Sequence, residues 1–397
     1  MSNNASSVTR NIPGRIPLYS SQRSGAVRRT GDADGRTVLL GMNLRTVPPE
    51  KQSSVIGHFS ADNRIQFRIR ADTGRKGKTP LIFQSISYRM FKKCLEINLM
   101  ELRKIDSEFR NFSFLAGLDN DLRISLLCAL RDKWTHTSTA LEGNSFTLGD
   151  TEFFLKEGIT IGGKSLQEHM DIYGHAEAIE YVYDIICNKG NLTEEKLFGI
   201  HRLVQKNLVH DVYKPVGAWK VEPNGTYVSE SNGGQRYIEY PAPEIIPLLM
   251  TRWFDWQKNI TANHISRENA PHAFAAIHTS FVRIHPFYDG NGRVARLIAN
   301  MALLRSGLPP LLIQKEHRKE YIQLLAEYEH EAGAMLMPDN PLLPKNSTFE
   351  KIVIFCAEQW KTTWELVDKA HEVQASRDKN SNISYMPRDS EHAGFGR

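Results

Sequence analysis

The sequence predicts a mainly α-helical fold, a helical bundle carrying a small β-hairpin. Three observations predict it. Apolar residues recur at helical spacing in separate stretches: Leu126, Leu127, Leu130, Trp134 and Leu141; Phe274, Ile277, Phe281 and Ile284; Val294, Leu297, Ile298, Met301 and Leu304. Helix punctuation flanks them, with Gly143-Asn144 and Ser306-Gly307 as stops and Ser165 with Glu168 as a capping box. Strand-like runs are short and confined to 37–83 and 217–240. The 397 residues, with 41% hydrophobic and 24% charged content, suit a helical body with ample core plus accessory segments, in at most two domains.

In chain order, residues 1–36 read as a disordered basic tail, because Arg10, Arg15, Arg23, Arg28 and Arg29 come with many serines and no acid before residue 30. Residues 37–100 read as an accessory region in which Val38-Leu39-Leu40 and Ile65-Gln66-Phe67-Arg68-Ile69 hint at strands. A main body follows over 101–335. A C-terminal helical extension, 336–372, is traced by Ile352, Val353, Phe355, Cys356, Trp360, Trp364 and Val367, and 373–397 is expected to be a disordered tail. Apolar runs stay short of the roughly 18 residues of a membrane span, and no early apolar stretch resembles a signal peptide, so no membrane is expected and the location reads as cytoplasmic. Cys94, Cys128, Cys187 and Cys356 are far apart without CxxC spacing, which predicts isolated reduced thiols and argues against zinc.

The chemistry concentrates in His285-Pro286-Phe287-Tyr288-Asp289-Gly290-Asn291-Gly292-Arg293-Val294-Ala295-Arg296. Pro286 and the glycines stop one helix, and the apolar period resumes after Gly292, so the run is a loop feeding a helix N-terminus. Such an end offers unpaired N–H groups and partial positive charge, and a Gly-Asn-Gly approach permits the positive φ angles that turn amides toward one anion. Arg293 and Arg296, three apart, are expected on one helix face, where paired N–H donors would clamp further phosphate oxygens.

The same twelve residues match HPFx(D/E)GNGRxxR at every fixed position, the signature of the Fic family, which the chain resembles from Ser138 to about Tyr328. The resemblance implies a Fic-type helical bundle that transfers a nucleotide monophosphate, usually AMP from ATP, onto a hydroxyl of another protein. Under it, His285 is the expected general base toward a Ser, Thr or Tyr hydroxyl. Asp289 is the expected Mg²⁺ carboxylate, with Mn²⁺ as an alternative metal. Asn291 is the expected catalytic donor to the α-phosphate, with the Gly290, Asn291 and Gly292 amides around the anion, and Arg293 and Arg296 are expected on the β- and γ-phosphates.

Ser138-Thr139-Ala140-Leu141-Glu142-Gly143-Asn144 resembles the family's inhibitory motif. There the glutamate pairs with the second signature arginine, here Arg296, and displaces the γ-phosphate, so Ser138 and Glu142 are expected to be inhibitory. The segments Gly217–Val221 and Asn224–Val228, followed by Tyr237–Tyr240, read as short strands around an Asn-Gly turn, with 229–234 as a mobile loop. Fic enzymes place a β-hairpin flap there, lining the target's backbone. Lys315–Tyr321 opens another helix, similar to the segment that closes over the nucleoside. Relatives often put an asparagine for the adenine edge near its end, where this chain has Glu327-Tyr328-Glu329, so the sequence leaves the base open. Tyr321 and Tyr328 fit either stacking on a base or the core.

Rival readings are weaker. Gly158-Ile159-Thr160-Ile161-Gly162-Gly163-Lys164-Ser165 satisfies GxxxxGK[ST], but a P-loop follows a buried apolar strand, and Asp150–Glu157 is charged and helix-like. A turn between two helices is expected instead, with Ser165 capping the second. The net charge of +5 raises a basic nucleic-acid-binding or adaptor protein, yet the basic residues concentrate in the first hundred positions and no nucleic-acid motif appears. Among family chemistries, UMP transfer, phosphocholine transfer, phosphate transfer and removal of AMP are alternatives, and the intact signature favours nucleotidyl transfer. The expected partner is a protein bearing an acceptor hydroxyl. Many relatives form homodimers, which the sequence leaves open here.

Overall fold

A computed structural model of the chain describes residues 54–59, 65–70, 112–188, 190–206, 211–229 and 234–384. The chain divides into two units, Met1–Met90 and Phe91–Arg397. In the first unit, β1 (Ser54–Phe59) and β2 (Ile65–Arg70) pair antiparallel, with Ser54 opposite Arg70 and Phe59 opposite Ile65. The alternating run at 65–69 thus is a strand. The basic tail, Val38-Leu39-Leu40 and Cys94 lie outside the described residues, as do 230–233 of the loop expected to be mobile.

In the second unit, α1 (Asn120–Leu141) ends as the sequence predicts: Glu142 caps it and Gly143 follows at φ +100°. Its apolar stripe, Leu126, Leu127, Leu130, Trp134 and Leu141, is buried. Next come α2 (Leu148–Glu157) and α3 (Leu166–Cys187), each opened by a complete capping box, Thr147 with Asp150 and Ser165 with Glu168. The segment between them is a turn that leaves a helix, with no strand before it. Lys164 points back to the Ser145 carbonyl at 2.6 Å, so the P-loop pattern here is a connection. Then α4 (Glu194–Val204) leads to the hairpin of β3 (Gly225–Ser229) and β4 (Gln235–Glu239), paired Gly225 to Glu239.

Two helices form the centre. In α6 (Ala270–Ile284) and α7 (Asn291–Arg305) nearly every residue is buried, small and polar ones included, so both are covered on all sides by the rest. They pack on each other and are wrapped by α1, α3, α4, α5 (Ile246–Thr261) and α9 (Ser347–Ser384). A fully buried leucine such as Leu297 would cost about 2–5 kcal/mol if truncated to alanine. The remaining helix, α8 (Arg318–Ala332), follows a 3-10 turn at Lys315–His317 and packs on α9.

Two expectations need correction. The segment 217–221 is not a strand: the Lys220 N–H donates to the Pro286 carbonyl at 2.9 Å, and the Asn224 side chain turns to the loop after α6 instead of closing a hairpin. Nor does order stop at 373. The C-terminal helix continues to Ser384, held by polar contacts that hydrophobic periodicity does not register: Gln374 accepts from the Asp119 N–H at 2.8 Å, and Arg377 pairs with Asp119 and Asp121. Residues 336–372 are accordingly part of the body, with Ile352, Phe355, Trp360 and Val367 in the common core.

Candidate active site

The junction between α6 and α7 is built around one strained residue. His285 caps α6 in the left-handed region, φ +50°, the one non-glycine with positive φ among the described residues. Such a conformation costs on the order of 1–3 kcal/mol and persists where surroundings enforce it. Here the His285 N–H donates to the Phe281 carbonyl, and its ring stacks on Tyr240 at 3.6 Å with 5° between planes. Its Nδ1 lies 3.1 Å from the Val282 carbonyl. A carbonyl can only accept, so the proton sits on Nδ1 and Nε2 keeps its lone pair. Burial, aided by the Lys220 ammonium, pushes the imidazole down to about 3 against the Val282 carbonyl and Asp289, which leaves it neutral at physiological pH.

The glycine-rich loop is clamped from inside. Asn291 is 2% exposed, and its amide bridges one residue: Oδ1 accepts from the Phe287 N–H at 2.9 Å, and Nδ2 donates to the Phe287 carbonyl at 2.8 Å. The Phe287 ring stacks on His201 at 3.8 Å and on Trp219 at 5.5 Å. His201 accepts from the Gly217 N–H through Nδ1, so its Nε2–H donates to the Asp289 carbonyl at 3.1 Å. From the other side Asn224 donates to the Phe287 and Tyr288 carbonyls and accepts from the Lys220 ammonium at 2.7 Å. Gly290 takes φ +79°, and a Cβ there would lie 3.1 Å from the Gln205 side chain, so both backbone and space favour glycine.

Asp289 is exposed at the loop's tip. One oxygen accepts from the Gly290 N–H at 2.6 Å and the other from Gln205 at 2.8 Å. Partial enclosure raises its carboxyl, but Arg293, the Gly290 N–H and Gln205 outweigh this and hold it below the ordinary value. A carboxylate has about four lone-pair sites, so two remain for a hard cation. Among the described residues no group of three or more His, Cys, Asp or Glu could hold a metal, so a cation here would share Asp289 with ligand oxygens and water.

The two arginines go separate ways. Arg296, 2% exposed, donates through Nε to Ser138 Oγ at 3.0 Å, through Nη2 to the Ser138 carbonyl at 2.9 Å and to Glu142 Oε1 at 2.6 Å, and through Nη1 to the Tyr321 hydroxyl at 3.2 Å. Glu142 also stands over the opening turn of α7, since a Cβ on Gly292 would lie 2.6 Å from its Oε1. Its side chain is 43% exposed, so the carboxylate meets both Arg296 and the entrance. Arg293 turns the opposite way, to the Val204 carbonyl at 3.1 Å, Gln205 at 2.7 Å and Asp171 at 3.4 Å.

One pocket therefore gathers Glu142, His285, Gly292, Tyr321 and, at its far side, Arg283 and Glu329, with Arg296 and Ser138 behind Glu142. One expectation changes. Arg293 does not share the pocket with Arg296, because three-residue spacing sets only rough direction and each guanidinium follows its partners. Asn291 also braces the loop, with Oδ1 and one Nδ2–H on Phe287, and the amide's second N–H is the one its expected donor role would use. Tyr321 and Tyr328 are core residues, 6% and 1% exposed, whose edges line the pocket. The sequence reading missed His201, Gln205, Asn224, Lys220 and the Arg283–Glu329 pair. The four-residue spacings of His201 with Gln205 and of Lys220 with Asn224 were the local signals; the Arg283–Glu329 pair joins distant segments.

Comparison with known proteins finds similar sequences and similar folds. Residues 191–303 match the Fic/DOC family. The protein adenylyltransferase Fic of Drosophila erecta is 34% identical over 188 residues, 47% of this chain and 35% of that protein, and the Drosophila melanogaster protein of the same name matches equally. The chain thus spans about a third of the length of the curated relatives it matches. Among solved structures, a Fic domain-containing signaling protein from Bacteroides thetaiotaomicron superposes with a TM-score of 0.55 at 28% identity, covering 69% of this chain and 97% of the other. Fic-1 of C. elegans shares the fold, with a TM-score of 0.50 at 23% identity over 69% of this chain and 73% of that one.

Proposed function

The chain belongs to the Fic/DOC family, and from that premise we propose that it is an autoinhibited protein adenylyltransferase, moving AMP from ATP onto a Ser, Thr or Tyr hydroxyl of another protein. The observation that carries the proposal is a neutral, proton-accepting histidine in the same pocket as a helix N-terminus already overlaid by a carboxylate. An anion belongs at that end, and Glu142 stands in for the phosphate.

In the reaction the target hydroxyl oxygen attacks the α-phosphorus. One P–O bond forms, the P–O bond to the β-phosphate breaks, and pyrophosphate leaves. His285 Nε2 takes the hydroxyl proton; its ring is held on Tyr240 and by the Val282 carbonyl, so it needs no reorientation. The opening amides of α7, at Gly292 and its neighbours, face the charge that builds on the phosphate, and Asn291 keeps them aimed by fixing Phe287. Asp289 would hold Mg²⁺, which when bound neutralises polyphosphate charge. Arg296 is the pocket's cation for the terminal phosphate once Glu142 releases it, whereas Arg293 supports Asp289 through Gln205.

The β3–β4 hairpin, joined to the loop through Lys220 and Asn224, is the flap on which a target segment would lie as an added strand. Tyr227 and Tyr237, paired across it, are 69% and 49% exposed and offer side chains to such a segment. No helix among the described residues is long and apolar enough to cross a membrane.

The test is to incubate the chain and its Glu142→Gly form with α-labelled ATP or UTP and cell lysate, then locate modified residues by mass spectrometry. Labelled hydroxyl side chains from ATP are expected. Labelling from UTP alone would make it a uridylyltransferase, and no label from either would overturn the proposal.

A further inference from the structure

The last four carbonyls of a helix find no partner within it, and at the end of α1 each of them is engaged. The chain itself closes two: the Glu142 and Asn144 N–H groups donate to the Thr139 carbonyl at 3.0 and 3.1 Å, and the Gly143 N–H donates to the Ala140 carbonyl at 3.0 Å. The other two are closed by arginines from distant helices. Arg296 Nη2 of α7 donates to the Ser138 carbonyl at 2.9 Å, and Arg318 Nε of α8 donates to the Leu141 carbonyl at 2.6 Å. A cation there also complements the negative end of the α1 dipole. The Leu141 carbonyl belongs to the peptide group that carries Glu142. That group is planar, so holding its oxygen on Arg318 and its N–H on Thr139 fixes the direction in which the Glu142 side chain leaves the backbone. The Leu141 side chain is buried in the core, so Arg318 acts on the last anchored residue before the carboxylate.

Resting on the autoinhibition read above, we propose that Arg318 is a positioning residue of the inhibited state: its bond to the Leu141 carbonyl sets Glu142 onto Arg296 and the opening turn of α7. An ion pair with one half-exposed partner is weak unless its geometry is set beforehand, and the Glu142 side chain is 43% exposed. Arg318 supplies that setting from outside the pocket, because it is exposed and is not one of the pocket's lining residues. Tyr321 completes the arrangement. It stands one turn further on the same face of α8, and its hydroxyl accepts from Arg296 Nη1 at 3.2 Å. The first turn of α8 thus braces both members of the pair, the arginine through Tyr321 and the backbone of the glutamate through Arg318. The 3-10 turn that precedes α8 also packs on α1.

The test compares labelling rates of the full chain with α-labelled ATP and cell lysate for wild type, Arg318→Met, Arg318→Lys and Glu142→Gly, and for Arg318→Met combined with Glu142→Gly. Arg318 is exposed, so neither substitution opens the core. Arg318→Met keeps the aliphatic stem and loses the donor, and it is expected to label about twofold to tenfold faster than wild type, the scale of one hydrogen bond. Arg318→Lys, which still offers an N–H to the Leu141 carbonyl, is expected to stay within about twofold of wild type. In the Glu142→Gly background Arg318→Met is expected to gain nothing further, because no carboxylate remains to be placed. A merely structural loss would slow labelling in both backgrounds, so the sign of the change separates the two roles. Arg318→Met no faster than wild type, beside an accelerated Glu142→Gly, would overturn this inference alone. So would equal acceleration by Arg318→Met in both backgrounds, or equal acceleration by the two Arg318 variants. No acceleration by Glu142→Gly would overturn the autoinhibition reading with it.

Discussion

Arg293 and Arg296 stand on the same helix one turn apart, and the structure gives them opposite employment. Arg296 faces α1 and α8, where it meets Ser138, Glu142 and Tyr321 at the pocket. Arg293 faces α3 and α4, where Val204, Gln205 and Asp171 hold it behind Asp289. The difference teaches that a motif fixes which residues are present at a helix N-terminus, while the elements packed on either side decide what each one touches. On the Arg296 side the partly exposed Glu142 carboxylate faces the pocket, where the proposed function puts the phosphates. On the Arg293 side the partners lie away from the pocket, so that side supports the loop.

The largest effect should come from the residue between the two sides. His285→Ala is expected to lower labelling by about 10²–10⁴, the usual worth of a general base, while leaving nucleotide affinity within a few-fold. Radiolabel transfer and nucleotide titration on the same preparation check this, and wild-type labelling by the alanine variant would remove His285 from the chemistry. Asp289→Ala should abolish metal stimulation together with most activity, because the loop offers that one carboxylate. Labelling that still responds fully to Mg²⁺ would move the metal ligand elsewhere.

Arg293→Met sharpens the contrast itself. If that arginine is a strut, losing its charge-assisted bonds should lower stability by about 1.5–3 kcal/mol, seen in thermal or urea unfolding. A fully stable variant with lost affinity for ATP would instead place Arg293 on the phosphates. The smallest effect belongs to Lys164→Ala in the P-loop-like turn. Its ammonium meets Ser145 and lies over the Phe146 ring at the surface, so stability should change by no more than about 0.5 kcal/mol and labelling hardly at all. A folded but inactive Lys164 variant would revive the phosphate-cradle reading of 158–165.

Much of this was legible in the sequence. The apolar stripes of α1, α6 and α7 repeat at helical spacing, glycines follow α1 and α7, and Pro286 follows α6, so length, direction and buried face followed together. The Glu142–Arg296 contact was legible through two motifs rather than through physics, since nothing local joins residues 154 positions apart. What escaped was held by long-range polar contacts. The extension of α9 depends on Arg377 reaching Asp119 and Asp121, and no periodicity records an ion pair to a distant helix cap. The bracing of the loop by His201, Gln205 and Asn224 escaped for the same reason, and the Asn224-Gly225 pair misled because its side chain was needed elsewhere. The direction of Arg293 was lost because spacing speaks of Cβ positions, whereas a guanidinium reaches several ångströms farther to its partners.

The most direct test of the account crosses Glu142→Gly with Arg296→Ala in a double-mutant cycle on labelling rates. If Glu142 restrains the enzyme by occupying Arg296 and the N-terminal end of α7, Glu142→Gly should accelerate labelling several-fold to about a hundredfold, the scale of a coupling of about 1–3 kcal/mol. In the Arg296→Ala background the same substitution should gain almost nothing, so the two effects are strongly non-additive. Equal acceleration in both backgrounds, or none in either, would contradict it.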